Sequence, residues 1–139
     1  MAALAEKAVA LLRRAVGESD PLIGTYVDLE RVIVVRVKDG QCVPDDLDAD
    51  QVEDDDARFA EVPIVTTSDE FLWMRDFVEE HGDRRVAGFL DGRSGANARF
   101  LKQLRKQAPD ALEAWETYRT KCVHELVDAW LATLGVSTA

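Results

Sequence analysis

Two histidines, His81 and His124, are the side chains of this chain best suited to acid–base chemistry near neutral pH. His81 follows two glutamates at the predicted end of a helix, where the last carbonyls favour an imidazolium. His124 lies eight residues after Glu116 and four before Asp128 on a predicted long helix, a spacing that could orient a general base. Because no nucleophile or second ligand is fixed beside His124, the pattern favours a surface ion pair over catalysis.

The stretch "GRSGA", residues 92–96, places Ser94 in a setting similar to a nucleophile elbow. That motif requires glycine where Ala96 stands, and the serine should follow a strand, whereas this segment is predicted to lie between helices. The same glycines lack the spacing of a phosphate-binding loop. The sequence therefore contains no hydrolase or kinase motif, and we expect the protein not to be an enzyme.

An acidic segment, "DDLDADQVEDDD" at residues 45–56, holds eight carboxylates and no basic residue. Three of its aspartates occupy positions 1, 3 and 5 of an EF-hand loop, but Gln51 stands where the loop needs glycine and Ala57 where it needs glutamate. Cys42 and Cys122 are 80 residues apart, without a metal-ligand spacing, and are expected to be free thiols. We expect no metal and no cofactor, and a mobile acidic loop over residues 45–58.

A basic segment stands out in this acidic chain, whose formal net charge is -10. Residues 89–107 carry five positive charges, and Gly92 and Gly95 precede a helix whose first backbone N–H groups could meet an anion. The candidate residues for binding an anion or a partner are Arg93, Arg99, Lys102, Arg105, Lys106 and Arg119. The alternative is an amphipathic helix whose charged face is solvated or paired with the molecule's own acids.

The N-terminal half is predicted to contain one helix and a small sheet, which position these segments. Apolar residues at helical spacing predict a helix over residues 2–16 that Gly17 ends. The runs "GTYVDLE" and "VIVVRVKDG" predict two strands joined in a hairpin around Glu30 and Arg31, and the second run ends at a DG turn signal. Residues 61–65, "EVPIV", predict a short strand or extended segment at a sheet edge.

The C-terminal half reads as helical. Thr67 and Glu70 have the spacing of a capping box at the start of a helix that Gly82 closes. Further helices are predicted around residues 84–92, over residues 96–107 and over residues 110–134. With no repeat and no change in composition, the chain is predicted to form one α+β domain over residues 1–139: an N-terminal helix, a small antiparallel sheet of two to three strands, and a C-terminal half of three to four helices.

The succession of short motifs over residues 24–135 resembles the bacterial uncharacterised protein family 0158. That family has a strand similar to "YYLDLE", an acidic loop, a small-residue turn before "RRFK", a W-x-x-[FY]-R motif and a terminal "WL". The matching positions are Tyr26, Asp28, Leu29, Glu30, Gly92, Gly95, Arg99, Phe100, Trp115, Tyr118, Arg119, Trp130 and Leu131. The resemblance implies an α+β bacterial domain with a helical C-terminal half, and it carries over no activity, cofactor or catalytic residue.

Charge and hydropathy indicate the partner class. Twenty-seven acidic against seventeen basic residues disfavour a general role on nucleic acid or an anionic membrane. The N-terminus lacks the pattern of a signal peptide, and no apolar run is long enough to cross a membrane. We therefore expect a cytoplasmic adaptor or regulator that binds another protein, with a basic partner favoured. The alternative is an anion or nucleic-acid binding module that uses the helix at residues 93–106.

Overall fold

The computed structural model describes residues 3–81, 86, 88–90 and 94–138, and in it the chain divides into two compact units. Unit 1 comprises residues 1–64 and 123–139, and unit 2 comprises residues 65–122. The predicted single domain over residues 1–139 stays a prediction. Gly82, Arg93 and five of the nine residues of the helix predicted at residues 84–92 lie outside the described residues.

The described residues form six strands and five helices in an α+β arrangement, which confirms the predicted fold class. In chain order the elements are β1 (Ala3–Leu4), α1 (Glu6–Glu18), β2 (Gly24–Asp28), β3 (Ile33–Lys38), β4 (Gln41–Val43), α2 (Ala49–Asp54), β5 (Phe59–Glu61), α3 (Thr67–His81), α4 (Ala96–Gln107), α5 (Pro109–Thr133) and β6 (Ser137–Thr138). No described helix has the length and apolar character needed to span a membrane.

Unit 1 is built on a four-stranded antiparallel sheet with the order β4-β3-β2-β5. The predicted hairpin is confirmed, since Tyr26 of β2 lies opposite Val35 of β3. The DG signal forms the next turn, where Asp39 and Gly40 both have positive φ angles (53° and 74°), as a tight hairpin requires. The strand expected at residues 61–65 lies earlier in the chain, as β5, and the sheet has one strand more than predicted.

One face of this sheet packs on α2, which was not predicted. Within the acidic segment, Ala49 and Val52 are buried and share a core with Val35, Val37 and other residues of the sheet. Their spacing of three residues places both apolar side chains on one side of a helical turn. The acidic segment is therefore anchored to the sheet by α2 instead of being a loop throughout; its mobility stays a prediction.

The helix α1 packs near β3 and is tied to the C-terminal part of unit 1. Its buried residues are Val9, Leu12 and Val16, and it runs past the predicted stop at Gly17 to end at Ser19, which takes the left-handed cap conformation (φ 50°). The carboxylate of Asp128 accepts two hydrogen bonds from the Arg13 guanidinium, at 2.9 and 3.0 Å. A short parallel pair, β1 with β6, joins the two ends of the described chain.

Unit 2 is helical, with an aromatic core at its centre. Phe77 of α3 and Phe100 of α4 both meet the Trp115 ring edge-on, with ring centroids 5.6 and 6.1 Å apart. The cap of α3 lies one residue before the predicted one: Thr66 and Asp69 exchange two hydrogen bonds of 3.0 Å, each from the backbone N–H of one residue to the side chain of the other. The helix α4 has the predicted bounds, and α5 differs from its predicted bounds by one residue at each end.

Candidate functional site

The basic face of α4 contains three of the predicted site residues. Lys102, Arg105 and Lys106 are exposed, while Phe100 and Leu104 on the opposite side of the helix are buried. Among the residues that the structure describes, none forms an ion pair with these three side chains. Arg105 and Lys106 also lie in the last turn, where positive charge is favoured by the helix dipole. The face is available to an anion, and its charges also suit the helix end.

Arg99 lies on the same helix but is used locally. Its Nη1 atom donates a hydrogen bond of 2.8 Å to the backbone carbonyl of Ser94, in the turn that precedes α4. Gly95 at the helix N-cap has φ 78°, and a β-carbon there would lie 3.1 Å from the Arg99 guanidinium. The arginine thus closes the turn at the start of its own helix, a structural role. Arg93, the neighbouring candidate, lies outside the described residues.

Arg119 joins two helices of unit 2. Its Nε and Nη2 atoms lie 2.9 and 2.7 Å from Oε1 of Glu70, so that α5 is connected to α3. Both side chains are about three-quarters buried, with exposed fractions of 28% and 25%. Arg119 is one of the candidates for binding an anion or a partner, and its geometry here is that of an ion pair fixed between two helices.

The two histidines considered for acid–base chemistry differ in their surroundings. The His81 ring stacks on Phe77 with centroids 5.0 Å apart. The surface ion pair expected of His124 is not found among the described residues, and the Asp128 carboxylate accepts two hydrogen bonds from Arg13. Burial, and then the nearby Cys122 thiol and acidic side chains, raise the pKa of Tyr118 to about 12, so its phenol is protonated at neutral pH.

The acidic segment presents a dense set of carboxylates. Seven of its eight acidic residues are exposed: Asp45, Asp46, Asp48, Asp50, Glu53, Asp54 and Asp56. Only Asp46 among these seven forms an ion pair within the described chain, with Arg31 at 2.9 Å. We call these seven residues the acidic surface. Within the described residues, no group of three or more histidine, cysteine or acidic side chains could hold a metal ion.

The turn between β2 and β3 is built around a buried carboxylate, Asp28. Its Oδ1 and Oδ2 atoms accept from Nε and Nη2 of Arg58 at 3.0 and 2.9 Å, and Oδ1 also accepts the backbone N–H groups of Glu30 and Arg31 at 2.9 and 3.3 Å. Burial by itself would raise the pKa of Asp28, but these hydrogen bonds outweigh it and lower that pKa. The guanidinium also lies over the Phe59 ring, 4.8 Å from its centroid.

A hollow in unit 1 was missed by sequence reasoning. It has a volume of about 340 Å³ and is bounded by the end of α1, the segment before β2, and the chain leaving β5, with Arg36 of β3 in its wall. Arg36 lies opposite Thr25 in the sheet, on the side that carries α1. The run "VIVVRVKDG" carries no signal that predicts the hollow, because the rest of its wall comes from residues within 15–25 and 61–64.

Comparisons of the chain with protein-family models, with curated proteins and with solved structures find no match. The resemblance to the bacterial uncharacterised protein family 0158 therefore stays a prediction. Two of its motif positions have a structural explanation here, since Asp28 orders a turn and Arg119 joins two helices.

Proposed function

We propose that the protein is a non-enzymatic cytoplasmic adaptor or regulator, and that it binds a basic protein partner through the acidic surface. The observation that carries this proposal is the set of seven exposed carboxylates, of which only Asp46 is paired within the described chain. A partner with clustered lysine or arginine side chains would supply the missing counter-charges.

The anchoring of α2 supports this role. Because Val52 is 1% exposed and Ala49 8%, the helix is held on the sheet, and its carboxylates keep their spacing before a partner arrives. Binding to carboxylates that α2 already holds in place costs less conformational entropy than binding that must first order a loop. The formal net charge of -10 adds a long-range attraction that speeds the encounter and weakens as salt is added.

The test compares two variants of equal net charge. In the first, Asp48→Asn, Asp50→Asn, Glu53→Gln and Asp54→Asn neutralise four residues of the acidic surface. In the second, Glu79→Gln, Glu80→Gln, Glu113→Gln and Glu116→Gln neutralise four exposed acids of unit 2. The wild-type chain and both variants are immobilised, and bound proteins are recovered from a cell extract at low and at high salt and identified by mass spectrometry.

The proposal predicts that the wild-type chain and the second variant retain the same basic proteins at low salt, and that the first variant loses them. High salt should release them from all three. Recovery of no partner, recovery of acidic proteins only, or equal recovery by both variants would reject the acidic surface as the binding site. Equal loss in both variants would show that net charge, rather than this surface, attracts the partner.

The basic face of α4 supports a second candidate, an anion or nucleic-acid binding module. Lys102, Arg105 and Lys106 are exposed and lack ion pairs within the described chain, so three charges are available to phosphates. Reversal of the three charges to glutamate should abolish binding of labelled RNA, DNA or a phosphate ligand in a fluorescence anisotropy titration. Reversal of Lys7 and Arg14 on α1, which are also exposed, is the control. Binding that survives the triple reversal rejects this candidate.

A further inference from the structure

The hollow beside Arg36 has the size and lining of a small-molecule site. Its volume of about 340 Å³ lies within the range common for ligand pockets. Apolar side chains form much of the wall, namely Ala15, Val16, Ile23, Val62 and Ile64. Ile64 is 72% exposed, so a large apolar side chain at the edge of the hollow has no protein cover in the described structure. An apolar group lying in the hollow would remove that surface from water.

Arg36 is the unusual member of the wall. Its Nε atom is buried, and no described residue accepts a hydrogen bond from it or forms an ion pair with the guanidinium. Six other arginines of the described chain have a carboxylate within 4.0 Å. The chain has ten more acidic than basic residues, yet the part-buried Arg36 has no carboxylate of the described chain beside it. The Nε atom itself is closed off, as is the unpartnered Nε of Arg13, so a ligand carboxylate would pair with the rest of the Arg36 guanidinium and supply the counter-charge that the described chain does not.

The rim limits how much negative charge the hollow accepts. Glu18, Asp20 and Glu61 also line it. Glu18 is engaged by Arg14 at 3.3 Å, and Asp20 accepts the backbone N–H of Leu22 at 2.9 Å, but all three carboxylates still contribute negative charge to the wall. They would repel a ligand with two negative charges more strongly than a ligand with one.

We propose that the hollow binds a small apolar monocarboxylic acid, whose carboxylate pairs with the Arg36 guanidinium while its hydrocarbon part lies against the apolar wall. One negative charge satisfies Arg36, and the acidic rim excludes dianions of the same length. This site is independent of the acidic surface, because Arg36 lies on the sheet face that carries α1 and α2 packs on the other face.

Octanoate is the probe, at neutral pH and below its micelle concentration, added to the full ¹⁵N-labelled chain. We expect saturable shifts of the amide signals of Gly24, Thr25, Arg36 and Val62 in ¹H–¹⁵N correlation spectra. Octanol lacks the carboxylate, while suberate and octyl phosphate carry more negative charge, and each should bind more weakly than octanoate. A variant with the acidic surface neutralised should bind octanoate as the wild type does, so failure of the partner proposal leaves this result intact.

Three variants make the test specific. Arg36→Gln should weaken octanoate binding about tenfold or more, since a charge-assisted hydrogen bond is lost. Arg75→Gln, which removes an exposed arginine of unit 2 that belongs to no candidate site, should leave the affinity unchanged. Ala15→Phe keeps Arg36 but fills the hollow, and should also abolish binding. If thermal unfolding shows that the Arg36→Gln chain fails to fold, the Ala15→Phe chain tests whether octanoate binds in the hollow.

Several results would overturn the proposal. These are the absence of saturable shifts, equal affinity of the Arg36→Gln and wild-type chains, retained binding in a folded Ala15→Phe chain, or stronger binding of octyl phosphate than of octanoate. Shifts spread over the whole chain would indicate nonspecific adsorption of the hydrocarbon, and would equally overturn it.

Discussion

Two arginines of unit 1, Arg58 and Arg36, lie beside the same sheet in opposite situations. Arg58 is 21% exposed and pairs through two atoms with the buried Asp28, above an aromatic ring. Arg36 is also part-buried, but its Nε atom has no acceptor among the described residues. Both guanidinium groups lose water on folding. Only that of Arg58 gains a carboxylate of the chain, Asp28, in exchange.

The contrast separates architecture from a candidate site. The Asp28–Arg58 pair, with the backbone N–H groups that Asp28 also engages, closes a turn and gives the Arg58 guanidinium a counter-charge within the chain. Arg36 lines its hollow without a carboxylate of the described chain within 4.0 Å. The difference predicts opposite responses to substitution: loss of stability at Asp28 and Arg58, and loss of binding at Arg36.

The largest effect is expected at Asp28. Asp28→Ala leaves the Arg58 guanidinium and two backbone N–H groups without their acceptor, and should lower the free energy of unfolding by about 3 kcal/mol. Urea denaturation at neutral pH measures this, and Asp28→Asn, which keeps one oxygen acceptor, should lose less. A loss below about 1 kcal/mol for the alanine variant would mean that the pair does not stabilise the turn.

The two arginines can be compared directly through glutamine substitutions. Arg58→Gln removes charged hydrogen bonds to a buried carboxylate and should cost about 2 kcal/mol of unfolding free energy. Arg36→Gln removes a side chain whose buried donor has no partner, and should leave that free energy unchanged or raise it. The same urea experiment provides both values, and similar losses in the two variants would remove the distinction.

Acid should weaken the Asp28 pair in a defined direction. Because the pKa of Asp28 is lowered from 3.8 in the folded chain, the contribution of its charge to stability is complete above that value. It is lost as the pH falls through the lower, folded-state pKa. The difference in unfolding free energy between the wild-type and Asp28→Asn chains should therefore be constant near neutral pH and shrink below pH 3.8. A difference that grows on acidification would contradict this account.

A smaller effect is expected for the pair between Arg119 and Glu70 in unit 2. Both side chains retain about a quarter of their exposure, so solvent screens their attraction. A double-mutant cycle with Arg119→Gln and Glu70→Gln should give a coupling energy of about 0.3–1 kcal/mol. Coupling indistinguishable from zero would mean that this pair does not hold the two helices together.

Local patterns allowed much of this fold to be predicted. The helix α4 and the hairpin of β2 and β3 depend on spacing and turn residues within short windows, and both are confirmed. The helix α2 escaped prediction because its acidic composition concealed the buried pair Ala49 and Val52. The strands β1 and β6 have two residues each and pair across nearly the whole chain, so no local pattern could indicate them.

The candidate site was harder to predict than the fold. Charge pointed to the basic helix, and the family resemblance pointed to Arg99 and Arg119, yet Arg99 closes a turn and Arg119 of α5 forms an ion pair. Arg36 carries no distinguishing sequence signal, since a charged residue that alternates with buried valines is ordinary in a strand. Its candidate role depends on the lack of an acidic side chain beside it among the described residues, and only the folded structure shows this.

The most direct test of the contrast between the two arginines is a titration of octanoate followed through the Nε–Hε signals of the arginine side chains. We predict that the Arg36 signal moves and saturates as a carboxylate pairs with its guanidinium, while the Arg58 signal stays in place because its acceptor is Asp28. An Arg36 signal that does not move, or an equal movement of both signals, would contradict the assignment of Arg36 to a binding site.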